Sequence, residues 1–130
     1  FDKPVVGGDG LDTDNFVQGG AAVEGTVIAS IYHPQSQSSV NQQFRQQFIA
    51  KYGTEPGKWA AQAYDSLLLL AHAIDQAGTP IPREIAAQLE KLENWEGAAG
   101  SRSFASNGEV QGMKIVMKVV KNGAFHYLDD

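Results

Sequence analysis

The spacing of apolar residues switches between a helical period of about 3.6 and a strand period of two, and the switches mark out the elements. Pro4-Val5-Val6 is a short apolar run that empties into Gly7-Gly8-Asp9-Gly10, the pattern of a strand followed by a loop. Asp12, Thr13 and Asp14 are each suited to cap a helix, so a short, glycine-weakened helix is expected over residues 15–22. Residues 25–32 are rich in β-branched and aromatic side chains and read as a strand; residues 33–39, polar and with Pro34, read as a loop.

Ser39 followed by Gln42 has the form of a capping box, and the helix it opens carries Val40, Phe44, Phe48 and Tyr52 as one apolar stripe. Gly53 and Pro56 stop that helix. A second helix is expected over residues 59–77; it is apolar nearly all round and should be the buried helix of the chain. Pro82 opens a third, with Ile85, Leu89 and Leu92 on one face. After Trp95 the period becomes alternating. Residues 101–105 read as a strand, Ser106-Asn107-Gly108-Glu109 as a turn, and residues 113–120 as a strand with Met113, Ile115, Met117 and Val119 on one face. Asn122-Gly123 is a two-residue hairpin signal returning into residues 124–128. No internal repeat or low-complexity segment interrupts this order.

Composition narrows the class of protein. The chain has 130 residues, 42% of them hydrophobic and 19% charged, the balance of a globular domain rather than a disordered chain. Its longest apolar run, residues 67–71, falls far short of the roughly 20 residues a membrane span needs. The net charge is −5 and the lysines and arginines are scattered, which argues against a nucleic-acid partner. There is no cysteine, hence no disulfide framework and no thiolate chemistry. Phe1 is not an initiator methionine, and the expectation is a chain processed, trimmed or excised from a longer one.

Candidate chemistry is sparse. Gly7-Gly8-Asp9-Gly10 lacks the spacing of the phosphate-binding and dinucleotide-binding loops, and Asp9 at its centre would repel a phosphate. It reads either as a plain tight turn or as a place where glycines let backbone and carboxylate approach a cationic ligand. Asp9, Asp12 and Asp14 together would offer calcium some oxygens, but without the glycine and terminal glutamate of the calcium loop; helix capping accounts for Asp12 or Asp14 more simply. His33, His72 and His126 fall on three different elements with no metal-ligand spacing, so no metal or cofactor is expected. No serine elbow and no cysteine nucleophile is present, and enzymatic chemistry is not expected. Trp59 and Tyr64, five residues apart, point about 140° away from each other around a helix; each is either core or the wall of a ligand cleft.

Five blocks carry a resemblance to a known family. They are Pro4 to Gly10, then Ala21-Ala22-Val23-Glu24-Gly25-Thr26-Val27, then Phe44 to Pro56, then Ala63-Tyr64-Asp65-Ser66, then Trp95-Glu96-Gly97-Ala98-Ala99-Gly100 onward to Gly108. In this order and spacing the chain resembles the branched-chain amino-acid type of substrate-binding proteins that serve bacterial ABC importers. The resemblance covers essentially the whole chain. It implies an α/β fold, the C-terminal part of a type I periplasmic binding protein, with a parallel-sheet lobe plus helices and an antiparallel hairpin at the end. It further implies that residues 1–32 and about 96–130 belong to the C-terminal lobe, while the helices of about 39–92 pack on an N-terminal lobe that precedes this chain.

The same resemblance implies a non-catalytic function: extracytoplasmic capture of an amino acid, branched-chain or related, by hinge closure, and delivery to the membrane permease of an ABC importer. The location implied is the periplasm or another extracytoplasmic site, free or lipid-anchored. The same fold also serves as the ligand-binding part of sensory receptors and regulators, which is the alternative. Carried over by position, Asp9 pairs with the ligand's α-amino group, Gly10 frames it, Trp59 lines the cleft, and Tyr64 matches the pattern as ligand contact or packing residue. Glu24 is read as structural. Trp59 is bulkier than the usual Tyr or Phe, a departure that bears on substrate preference. Without the first lobe, these residues alone are expected to bind amino acids very weakly and to self-associate through exposed apolar faces.

Overall fold

A computed structural model describes residues 3–128. The described residues divide into two compact units, residues 3–32 with 115–128 and residues 33–114. The chain passes between them twice, after Tyr32 and after Lys114.

The first unit is a four-stranded sheet of order β1-β2-β6-β7, with β1 (Val6–Gly7), β2 (Val27–Ser30), β6 (Val116–Lys121) and β7 (Ala124–Tyr127). β1 runs parallel to β2, whereas β2–β6 and β6–β7 are antiparallel. The hairpin signal holds: Asn122 and Gly123 both take positive φ, 53° and 70°, as a two-residue turn with the right-handed strand twist requires. Glu24 is structural, its carboxylate accepting the Asn122 backbone N–H at 2.9 Å.

β6 starts later than the strand expected over residues 113–120. Val116, Lys118 and Val120 are buried along with Val119, while Ile115 is exposed and Met113 lies outside the strand. The register explains this. Lys118 stands opposite Ile28 and Val116 opposite Ser30, so those residues share one face, and Ile28, Ser30 and Val120 are fully buried. Burying Ile28 and Val120 contributes about 1.5–3 kcal/mol each. A lysine sits in this face because a carboxylate is brought to it, as described below.

The connection from β1 to β2 is not one helix over residues 15–22. It comprises a single 3-10 turn (Asp9–Leu11), a short helix α1 (Asp14–Val17) and a second 3-10 turn (Gly20–Ala22). Gly20 takes φ +59°, which breaks the helix before it can continue. Of the three candidate caps Thr13 serves, its hydroxyl accepting the Phe16 N–H at 3.3 Å.

The second unit holds α2 (Ser39–Tyr52), α3 (Lys58–Ala77), α4 (Pro82–Leu89) and a small antiparallel sheet of β3 (Trp95–Gly97), β4 (Gly100–Phe104) and β5 (Val110–Gln111). The capping box does not form. Ser38 is the N-cap without a side-chain bond, and the buried Asn41 holds the preceding loop by donating to the carbonyls of His33, Pro34 and Ser36 at 3.0–3.3 Å. Gly53 ends the helix in the left-handed conformation, as read from the sequence. α3 is not the buried helix. Ala61, Asp65, Leu69 and Ala73, four apart, form its one buried stripe, whereas Leu67, Leu68, Leu70 and Ile74 are exposed. Among the described residues no helix is long and apolar enough to cross a membrane. The segment from residue 96 to 114, grouped with the last strands by the resemblance, lies in the compact unit of the helices.

Candidate functional site

The candidate residues fall in two places. Asp9 and Gly10 lie in the turn after β1, and Trp59 and Tyr64 lie near the start of α3.

The turn after β1 is built from local bonds. Leu11 N–H donates to Gly8 C=O at 3.1 Å, Asp12 N–H to Asp9 C=O at 3.0 Å and Thr13 N–H to Leu11 C=O at 2.9 Å. Its glycines are not equivalent. A methyl group at Gly7 would stand 2.3 Å from Leu11 Cδ1, so any larger residue there would have to displace the end of the Leu11 side chain. At Gly8 and Gly10 an added methyl meets nothing within 4 Å, so the space over the turn is open. Asp9 is exposed within it.

Asp12 is neither a helix cap nor part of a cation site. Its carboxylate accepts Lys118 Nζ at 2.9 Å through each oxygen and also accepts the Ser30 hydroxyl. The two charged side chains retain only 8% and 7% exposure, and the Phe125 and Tyr127 rings lie 5.4 and 5.1 Å from the ammonium. Such a pair is tolerated in low dielectric because both charges are compensated at close range. Among the described residues no three His, Asp or Glu side chains come together to hold a metal.

On α3, Trp59 is 61% exposed beside the N-terminal residue Lys58, whose ammonium lies 4.6 Å from the indole ring. Tyr64 is half-buried, its ring 4.7 Å from Phe44, and Phe44, Phe48 and Tyr52 continue as a ladder of rings along α2. The two aromatics therefore serve different faces, as their spacing predicts: Tyr64 packs the α2–α3 contact, and Trp59 meets solvent. An open groove of about 410 Å³ lies along that ladder, lined by Phe44, Phe48, Tyr52, Ala60 and Tyr64 among others.

The strongest polar constellation was not singled out from the sequence. Asp65, fully buried on α3, accepts Ala98 N–H at 2.6 Å, Ala99 N–H at 2.9 Å and Arg102 Nη2 at 2.6 Å. It pins the β3–β4 turn, where a methyl at Gly97 would stand 2.4 Å from the Asp65 carboxylate. The signal was a carboxylate within the Ala61–Leu69–Ala73 stripe: a charge at a core position must have a buried partner. This cluster is consumed by packing and offers nothing to a ligand.

Comparison with known proteins agrees with this architecture. Residues 2–124 match the family model described as Periplasmic binding protein. A leucine binding protein, LivK, from Thermotoga maritima is 34% identical and superposes with a TM-score of 0.90 over 98% of this chain and 37% of its own. An ABC transporter substrate-binding protein from Desulfitobacterium hafniense in complex with Leu is 32% identical, with a TM-score of 0.87 over 98% and 36% of the two chains. LivJ from Streptococcus pneumoniae, in complex with isoleucine, is 33% identical, with a TM-score of 0.82 over 95% and 36%. No curated protein matches the chain. The chain thus spans little more than a third of the solved proteins it resembles. A model match over nearly all its residues, with the expected mixed α/β fold beneath it, shows that the chain belongs to the periplasmic binding protein family, whose members are binding proteins rather than enzymes.

Proposed function

We propose that these residues are part of an extracytoplasmic solute-binding protein that captures an amino acid and presents it to the membrane permease of an ABC importer. The observation that carries this reading is an exposed carboxylate, Asp9, on a tightly bonded turn at the C-terminal end of a parallel strand. Ligands of open α/β sheets gather at the carboxyl ends of parallel strands, and a carboxylate there is the natural partner of an ammonium group. Gly10 keeps the approach open to the ligand's backbone atoms. The leucine and isoleucine bound by the relatives from Desulfitobacterium hafniense and Streptococcus pneumoniae support an aliphatic amino acid as the ligand. For Trp59 a ligand contact is carried over from the family resemblance alone, and within the helical unit Tyr64 packs against Phe44.

The exposed row Leu67, Leu70 and Ile74 on α3 supports a further lobe covering this helix in the whole protein. In its absence that row favours self-association. Membership of the family implies an extracytoplasmic location; the periplasm, with or without a lipid anchor, is the proposed one. Titration calorimetry with leucine on the natural protein that carries these residues tests the reading. Asp9→Ala should weaken binding by about 2–5 kcal/mol, the usual cost of truncating one partner of a buried charge pair. Unchanged affinity would refute the role of Asp9.

A further inference from the structure

We propose that Lys118, acting through Asp12 and Ser30, is a positioning residue for the ligand turn, so that affinity depends on a lysine that need not touch the ligand. The inference rests on the reading of Asp9 as the ammonium partner.

Asp12 takes part in two sets of bonds at once. Its backbone N–H closes the 3-10 turn by donating to Asp9 C=O at 3.0 Å. Its carboxylate is clamped to the sheet by both 2.9 Å bonds from Lys118 Nζ and by the Ser30 hydroxyl. Because the clamped carboxylate and the turn-closing N–H belong to one residue, the clamp fixes where the Asp12 Cα sits against the sheet and so where the turn carrying Asp9 is closed. The clamp is held at its far end, because Ser30 and Lys118 lie on the same buried face of neighbouring strands, β2 and β6. The Phe125 and Tyr127 rings of β7 flank the ammonium. Buried ion pairs are commonly matched or exceeded in stability by apolar side chains of similar volume. What the charges add here is direction: a single orientation for the residue that closes the turn.

A double-mutant cycle separates positioning from general stability, using calorimetry with leucine on the natural protein that carries these residues. Asp9→Asn should weaken binding about a hundredfold, and Lys118→Met about tenfold. The double variant should bind no more weakly than Asp9→Asn alone, because a turn without its carboxylate has nothing left to aim. Ser30→Ala removes one hydroxyl and decides the matter if Lys118→Met fails to fold. It should weaken binding about threefold with Asp9 present and leave the Asp9→Asn variant unchanged. Losses of the same factor in both backgrounds, or undiminished affinity in Lys118→Met and Ser30→Ala, would overturn the positioning role while leaving Asp9 in place. Undiminished affinity in Asp9→Asn would instead remove the reading on which the inference stands.

Discussion

Two glycine-rich turns in this chain are organised by an aspartate with a cation behind it, and they end differently. In the turn after β3, Asp65 accepts two backbone N–H groups and Arg102, and nothing of it reaches solvent. In the turn after β1, Asp12 plays the holding role with Lys118, and a second aspartate, Asp9, is an exposed residue of the same turn. The glycines follow suit. Gly97 is required by the carboxylate packed against it, whereas Gly8 and Gly10 border open space. A glycine-rich turn with an aspartate is thus not a site in itself. On the proposed function it becomes one where the residue that holds the turn and the residue offered to the ligand are different.

The largest expected effect lies on the wholly internal side. Asp65→Ala leaves Arg102 buried without its partner and two backbone N–H groups without acceptors. A loss of about 3–5 kcal/mol in urea denaturation is expected; a loss below about 1 kcal/mol would mean that the turn does not depend on Asp65. Next in size, Gly97→Ala drives a methyl against the Asp65 carboxylate and the Trp95 ring and should cost about 1–3 kcal/mol. Its counterpart on the other turn, Gly10→Ala, meets no such obstacle and should stay within about 0.5 kcal/mol in the same denaturation. Equal losses at the two glycines would erase the contrast between the turns.

Another small effect comes from a pair belonging to neither turn. Arg45 Nε donates to Glu55 Oε2 at 2.7 Å and a second guanidinium nitrogen bonds the other oxygen, which holds the Glu55 carboxyl below its ordinary value of 4.5. Because the folded value is the lower one, this stabilisation is present at neutral pH. It is lost as the pH falls below about 4.5, through the folded value. The pair is well exposed, so its contribution is under about 1 kcal/mol. Denaturation midpoints of Arg45→Met and the parent should differ slightly at pH 7 and converge in acid; a difference that grows in acid would reverse the sign.

What was legible in the sequence was local. The Asn122-Gly123 hairpin, the Phe44–Phe48–Tyr52 stripe and the Gly53 stop depend on residues within a few positions of one another, and each forms as read. β3 and β5 escaped notice because strands of three and two residues carry no measurable period. The buried face of β6 was not legible for a different reason. Its alternation offers Met113, Ile115, Met117 and Val119 on one side and Lys114, Val116, Lys118 and Val120 on the other, and two lysines argue for the solvent side. Asp12, 106 residues away, reverses that argument by neutralising Lys118 in the core. For the candidate site, the residue types and their order were legible through the family resemblance. The residue that holds Asp9's turn was not, because its bond spans nearly the whole chain.

The role proposed for the turn after β1 is to hold Asp9 toward the ammonium of an amino acid. It is tested most directly by calorimetric titration of leucine and of 4-methylpentanoate, the same skeleton without the amino group, against the natural protein and its Asp9→Asn variant. The natural protein should prefer leucine by about a hundredfold, and the variant should lose most of that preference by binding leucine more weakly. A variant that keeps the full preference for leucine would contradict the claim.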